Sequence, residues 1–260
     1  MISVSMNILH SNNEKTIAYH NHFVAKREAP CLIFHHGLMS SMNGDKALFV
    51  ESYCKKKDYN FIRYDNYGHG ASSGKFIDQT ISSWLEGLLL VIEQLTTGQV
   101  ILIGSSLGAW ISILAGIVLP QRVAGIITIS AAFDFTEELI WNGIGLEQKA
   151  KLKKDGTCEI GGANPDCSRK YPISLNLIED ARQHLLLNRN NIDITCPMHL
   201  IHGMQDIDVP YTISTRGAEK IKSNNVVIKL IKDGSHSLSR PSDLQLLCNS
   251  IEEIYPHSKN

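Results

Sequence analysis

Hydrophobic and polar positions change their period several times along the chain, and the changes mark its elements. Ile2 to Leu9 and Thr16 to Val24 flank the polar Ser11-Asn12-Asn13, which predicts two strands of an antiparallel hairpin. Cys31 to His35 is a short apolar run ending in His36-Gly37; a helix is predicted from about Asn43 to Lys57, then a strand over Asn60 to Tyr64. Ile81, Trp84, Leu85, Leu88, Leu89, Ile92 and Leu95 recur at helical spacing and give one apolar face for packing on a sheet. Val100 to Ile103 and Val123 to Ile129 read as buried strands around a helix from about Ser106 to Leu119, a βαβ unit. Val100 to Pro120 carries no charge and is long enough to span a bilayer, but Gly104, Ser105, Ser106 and Gly108 interrupt it. A strand, a sharp turn and a buried helix account for it better than a membrane span.

From Ala131 to about Asn191 the strand alternation lapses. Glu137 to Trp141, Leu146 to Lys154 and Leu175 to Leu187 read as helical, and Thr157 to Ile160 as a short strand, so residues 131–191 are an insertion. Alternation resumes with a strand at Met198 to Ile201, a helix near Tyr211 to Ile221, a strand at Val226 to Ile231 and a helix from about Ser242 to Ile254. Strands alternating with helices predict an α/β fold with a mostly parallel, doubly wound sheet, whose sites lie at the carboxyl ends of the strands. There is no internal repeat and no low-complexity segment.

Composition narrows the picture without supplying a partner. A chain of 260 residues is expected to form a single α/β domain over 1–260, with 131–191 as a small helical cap. A formal net charge of −1, without long runs of one sign, implies neither nucleic acid nor an anionic membrane surface as partner. Cys31, Cys54, Cys158, Cys167, Cys196 and Cys248 show no CxxC pair or zinc-ligand spacing. Free thiols, Cys158 and Cys167 included, fit a reducing compartment, and the expectation is cytoplasmic.

Gly104-Ser105-Ser106-Leu107-Gly108 matches G-x-S-x-G, the turn that lifts a serine out of a sheet where small neighbours permit a strained backbone. Alone the match is weak. Its context, an apolar strand entering and an apolar helix leaving, is what the chemistry needs. The helix start also presents unsatisfied N–H groups where negative charge develops in acyl transfer, with Leu107 N–H as one expected donor.

A serine hydroxyl needs a neighbouring base. His236 lies in Asp233-Gly234-Ser235-His236, after the strand Val226 to Ile231 and before the last helix, on the expected catalytic edge. The orienting carboxylate should fall between serine and histidine in chain order, and Asp206, just after Met198 to Ile201, meets that description. Asp208 is a possible substitute and Asp134 a weaker one. His35-His36-Gly37-Leu38-Met39 ends an early strand with a glycine that lets backbone approach a reacting carbonyl, so Leu38 N–H is the second expected oxyanion donor and Met39 the fallback. His36 and His69 are read as structural.

These segments together, His36-Gly37, Asp65 to Gly70, Gly104 to Gly108, His202 to Asp206 and His236, resemble the α/β-hydrolase superfamily over the whole chain. Ser41 to Leu48, Ile62 to Asp65, Gly104 to Trp110 and His202 to Asp206 resemble more narrowly the abhydrolase domain-containing protein ten family. That resemblance implies acyl-protein thioesterase or acyl-glucuronide esterase activity, with Ser106, Asp206 and His236 as the triad. Mitochondrial members carry an amino-terminal extension, whereas this chain starts almost at its first strand, so a mitochondrial location is not transferred.

The expected chemistry is ester or thioester hydrolysis through an acyl-enzyme on Ser106, which requires no metal or cofactor. The expected partners are a small-molecule ester or thioester, or an acylated protein, with no nucleic acid and no integral membrane segment. Leu139, Ile140, Trp141 and Ile144 are candidates for an acyl pocket or for cap packing, with Met39 and Trp141 singled out for the pocket. A peptidase or carbon–carbon bond hydrolase would use the same triad, and a non-catalytic binding protein would need none of it. Dehalogenases and epoxide hydrolases ordinarily place Asp where Ser106 stands.

Overall fold

The computed structural model describes residues 6–24, 29–161 and 170–255. Strands β1 (Asn7–His10), β2 (Thr16–His22), β3 (Cys31–His35), β4 (Phe61–Tyr64), β5 (Val100–Ser105), β6 (Val123–Ile129), β9 (Met198–Gly203) and β10 (Val226–Ile231) form one eight-stranded sheet in the order β1-β2-β4-β3-β5-β6-β9-β10. The first hairpin pairs antiparallel, β2 joins β4 antiparallel, and every pairing from β4 to β10 is parallel. The α/β class and the mostly parallel sheet expected from the alternation are thus what is found. The Ile2 to Ser5 part of the predicted first strand lies outside the described residues, as does Cys167; the other five cysteines are free.

Both faces of the sheet are buried, which is why its central strands read as unbroken apolar runs. Neighbouring positions on each strand serve opposite cores. Ile33, Leu102, Ile126 and Leu200 join helices α2 (Ile81–Leu95) and α3 (Leu107–Val118) on one side. Leu32, Ile101, Ile127 and Ile201 join α1 (Asp45–Lys57) and α7 (Pro241–Ile254) on the other. Helix α2 begins at a reciprocal cap, Thr80 Oγ1 accepting from Ser83 N–H at 3.2 Å and Ser83 Oγ from Thr80 N–H at 2.9 Å. It buries Ile81, Trp84, Leu85, Leu88, Val91 and Ile92. Truncating one such leucine to alanine costs about 2–5 kcal/mol.

Between β6 and β9 the chain leaves the sheet. It makes a π-helical turn (Thr136–Trp141), α4 (Leu146–Asp155), the antiparallel pair β7 (Thr157–Gly161) and β8 (Lys170–Ser174), and α5 (Leu175–Ala181). Strand β8 is absent from the sequence reading, since Pro172 demotes the run Lys170 to Ser174. The helix predicted to Leu187 stops at Ala181 and a 3-10 turn follows. Its reason is tertiary: the Asp134 carboxylate takes the Leu186 N–H at 2.8 Å and the Leu187 N–H at 2.7 Å, which turns that backbone away from a helix. After β9, α6 (Thr212–Ala218) leads to β10. No helix among the described residues is long and apolar enough to cross a membrane.

Candidate active site

The carboxyl ends of β5, β9 and β10 converge on one rim of the sheet. Ser106 stands between β5 and α3 with φ 55° and ψ −116°, a conformation that costs a non-glycine residue about 1–3 kcal/mol. The turn is held by Ser106 N–H donating to Ile129 O at 2.8 Å and by the Ser106 carbonyl accepting from Ala109 and Ala132. Gly108 lets the turn close, because a Cβ there would sit 2.3 Å from the His35 carbonyl oxygen. The sequence motif therefore has a steric cause.

His236 Nε2 lies 3.1 Å from Ser106 Oγ, and His236 Nδ1 lies 2.7 Å from Asp206 Oδ2. Facing a carboxylate, Nδ1 carries the hydrogen, so Nε2 is free to accept from the serine hydroxyl. Ser130 Oγ donates to the His236 carbonyl at 2.8 Å, and Lys46 Nζ donates to the Ser237 carbonyl. The loops bearing Asp206 and His236 touch at glycine: a Cβ on Gly203 would meet the Gly234 carbonyl oxygen at 2.2 Å. Gln205 N–H crosses the same junction to Gly234 O at 2.9 Å.

Asp206 accepts four hydrogen bonds. Asp208 N–H and Val209 N–H reach Oδ1 at 3.0 and 2.8 Å, while His236 Nδ1 and His202 Nε2 reach Oδ2 at 2.7 and 3.1 Å. Burial pushes its carboxyl up, but the hydrogen bonds from His202, His236 and Val209 outweigh burial and hold it well below the ordinary carboxylate range. Asp134, the alternative acid, is 1% exposed and occupied with Leu186 and Leu187. Asp208 is exposed at the cleft wall.

The N–H groups of Leu38 and Leu107 have no hydrogen-bond partner among the described residues, and both residues line the cleft beside Ser106. The Leu38 loop is clamped by Arg63, which donates to the Met42 carbonyl at 3.1 Å, to Asn43 Oδ1 at 2.7 Å and to Glu51 Oε2 at 2.8 Å. Asp65 completes the clamp by accepting Met42 N–H at 2.6 Å and Ala71 N–H at 2.9 Å. Segments 41–48 and 62–65, which carry the narrower family resemblance, thus form one network. His36 donates to Gly37 O at 2.8 Å and accepts from Asn66 N–H at 3.2 Å, so it is a neutral brace. His69, lowered to about 4 first by burial and then by His36, braces the same loop.

Above Ser106 opens a cleft of about 870 Å³. Its lining is apolar where the excursion contributes Phe135, Leu139, Ile140, Ile144 and Ile173, and polar at Ser40, Ser41, Asp45, Lys46, Ser237 and Ser239. Two pocket expectations need correction. Met39 is 48% exposed outside the cleft wall, and its N–H is turned to His69 Nε2 at 3.3 Å, which removes it as an oxyanion donor too. Trp141 is half-buried and also off the cleft wall, its ring lying against Lys149, Lys153 and Arg182 at 5.3, 5.8 and 4.9 Å. Residues that sequence reasoning missed are His202, Ser130 and Lys46. Of these His202 leaves a signal four positions before Asp206, and Lys46 lies within the Ser41 to Leu48 segment.

Residues 26–155 match the family model described as serine aminopeptidase, S33. The chain is 33% identical over 229 residues to the Bos taurus palmitoyl-protein thioesterase ABHD10, mitochondrial, covering 88% of this chain and 74% of that protein. The structure of mouse alpha/beta hydrolase domain-containing protein 10 superposes with TM-score 0.87 at 32% identity, over 96% of this chain and 97% of that one. A putative hydrolase from Agrobacterium vitis S4 superposes with TM-score 0.90 at 33% identity, over 97% and 99%. The cytoplasmic expectation is overturned, since the ABHD10 relatives of Bos taurus and Mus musculus are both named as mitochondrial. With an eight-stranded sheet in this order, a serine turn of this shape and a third of its residues shared with ABHD10 over most of both chains, the protein belongs to the α/β-hydrolase family and is a hydrolase.

Proposed function

We propose that the protein is a serine hydrolase of carboxylic esters and thioesters, with Ser106 as nucleophile, His236 as base and Asp206 as its orienting acid. The observation that carries this reading is the unbroken relay from Ser106 Oγ through His236 to Asp206 Oδ2, at 3.1 and 2.7 Å. Ser106 Oγ attacks the acyl carbon while its proton passes to His236 Nε2, and the N–H groups of Leu38 and Leu107 receive the charge on the carbonyl oxygen. Imidazolium forms beside ionised Asp206. Collapse breaks the bond to the thiolate or alkoxide, which leaves with the proton from Nε2. Water then attacks the acyl-enzyme, gives a proton to His236, and regenerates Ser106 with release of the acid.

The excursion over 131–191 serves as a cap, its apolar side at Leu139, Ile140 and Ile144 receiving the acyl chain and the polar wall receiving the leaving group. Thioesters are favoured as substrates because the relatives at 33% identity are named palmitoyl-protein thioesterases. Ser106→Ala is expected to lower hydrolysis of acyl thioesters and aryl esters by about three orders of magnitude and to abolish fluorophosphonate labelling. Retention of a tenth of the activity would remove Ser106 from the chemistry.

A further inference from the structure

His202 lies at the end of β9 with a side chain that is completely buried, as is the side chain of Asp206. Its Nε2 faces two acceptors, Asp206 Oδ2 at 3.1 Å and the Val209 carbonyl at 3.0 Å, so Nε2 carries the hydrogen. Nδ1 is 2.7 Å from Ser214 Oγ and shares a hydrogen bond with that hydroxyl. The imidazole therefore presents its Nε2 hydrogen to the Asp206 carboxylate and the Val209 carbonyl, with Nδ1 against Ser214 Oγ.

Val209 O would satisfy the Nε2 hydrogen, and two backbone N–H groups on Oδ1 already fix the carboxylate. The extra donor is nonetheless placed on Oδ2, the oxygen to which His236 donates. Two donors on one carboxylate oxygen divide its charge, and each weakens the attraction the other feels.

We propose that His202 is a positioning residue for the hydrolytic reaction, which shares Asp206 Oδ2 with His236 and thereby limits how strongly the acid holds the base. A base held too tightly as imidazolium would be unable to take the serine proton near neutral pH. Sharing keeps Asp206 ionised and oriented while moderating its pull. The inference rests on the Ser106–His236–Asp206 reading. The other charged groups near His236 are Asp208, whose carboxylate reaches within 4.8 Å of the same cluster, and Lys46 on the Ser237 carbonyl. Neither is changed by substitution at position 202.

Two amides separate the contacts. In His202→Gln the amide nitrogen takes the place of Nε2 and keeps the donor to Oδ2; in His202→Asn the shorter amide keeps Ser214 and loses Oδ2. The acid limb of the kcat/KM profile is expected to stay within about 0.3 unit of wild type for Gln and to move up by about one unit for Asn. For Asn, kcat should fall about tenfold with KM changed less than about twofold. The far-downfield proton of the His236–Asp206 hydrogen bond should shift in Asn and not in Gln. Equal acid limbs in both variants, whether moved or unmoved, would overturn the proposal. Should neither variant fold, nitrogen-15 imidazole spectra of the wild type decide: a hydrogen on His202 Nε2 engaged by the Asp206 carboxylate upholds it, and an Nε2 without a hydrogen overturns it. Ser106→Ala run alongside keeps the outcomes apart, since an active Ser106→Ala variant removes the triad itself, whereas an inactive one with unmoved limbs at position 202 removes only the role of His202.

Discussion

Asp134 and Asp206 follow adjacent parallel strands, both are nearly or fully buried, and both accept backbone N–H groups, yet their surroundings drive them in opposite directions. Burial raises Asp134 to about 6, because the Leu187 and Leu186 amides offset only part of the desolvation. Asp206 meets the same penalty, but two histidine N–H donors join its two backbone donors and hold it ionised. Backbone amides alone make a buried carboxylate a clasp; added imidazole donors make it an acid fit to orient a base. One aspartate therefore ties the excursion to the sheet, and the other belongs to the relay that ends at Ser106.

Exchanging each for its amide tests that division. Asp206→Asn is expected to lower kcat at pH 7 by about 10³–10⁴, since the amide favours the wrong His236 tautomer. Asp134→Asn should keep activity within about threefold, as its carboxylate faces Leu186 and Leu187 and not the relay. Comparable losses in the two variants would erase the distinction. Gly203→Ala comes next: its methyl would meet the Gly234 carbonyl, so the loops of acid and base must separate. A fall in kcat/KM of about 10–100-fold is expected, with the serine still labelled slowly by fluorophosphonate.

The same two carboxylates give opposite pH dependences of stability. Asp206, lowered on folding, contributes stability above the unfolded value of 3.8 that is lost as pH falls. Asp134, raised on folding, favours the folded state most when protonated, below 3.8, and that contribution is lost as pH rises through about 6. Asp134→Asn cannot ionise. Any constant penalty from its altered hydrogen bonds will be present at every pH, but relative to wild type it should gain about 1–3 kcal/mol between pH 4 and pH 7 in denaturant titrations. A difference independent of pH would mean that Asp134 titrates normally.

What the chain discloses about itself follows the same boundary between rim and excursion. Along the sheet, runs such as Val100 to Ile103 are legible because burial on both faces leaves no polar alternation. The three rim residues stand out because a strand, a glycine-bounded serine and a late loop histidine recur in a fixed chain order. The excursion is less legible because its structure is decided by distant partners. The helix expected from Leu175 to Leu187 is cut short by Asp134, some fifty residues earlier in the chain. His202 was visible only as part of a motif, since its role depends on which oxygen of Asp206 it meets. Apolar periodicity also treats Ile140 and Trp141 alike, although one faces the cleft and the other does not.

That last pair supplies the finest test, because adjacent residues of one π-helical turn have different neighbours. Ile140 lines the cleft, while the Trp141 ring lies under Arg182 and two lysines of α4, contacts worth about 0.5–1 kcal/mol each at an exposed site. Ile140→Ala should lower kcat/KM for the longest accepted acyl thioester about fivefold while leaving a two-carbon acyl group nearly unaffected, as expected when a few methylene contacts disappear. Trp141→Ala should leave the chain-length preference within about twofold and lower the melting midpoint by about 2–4 °C through loss of the cationic cage. If the tryptophan variant instead shortens the preferred acyl chain and leaves the midpoint unmoved, its ring reaches the substrate, and the cap must move when an acyl chain enters.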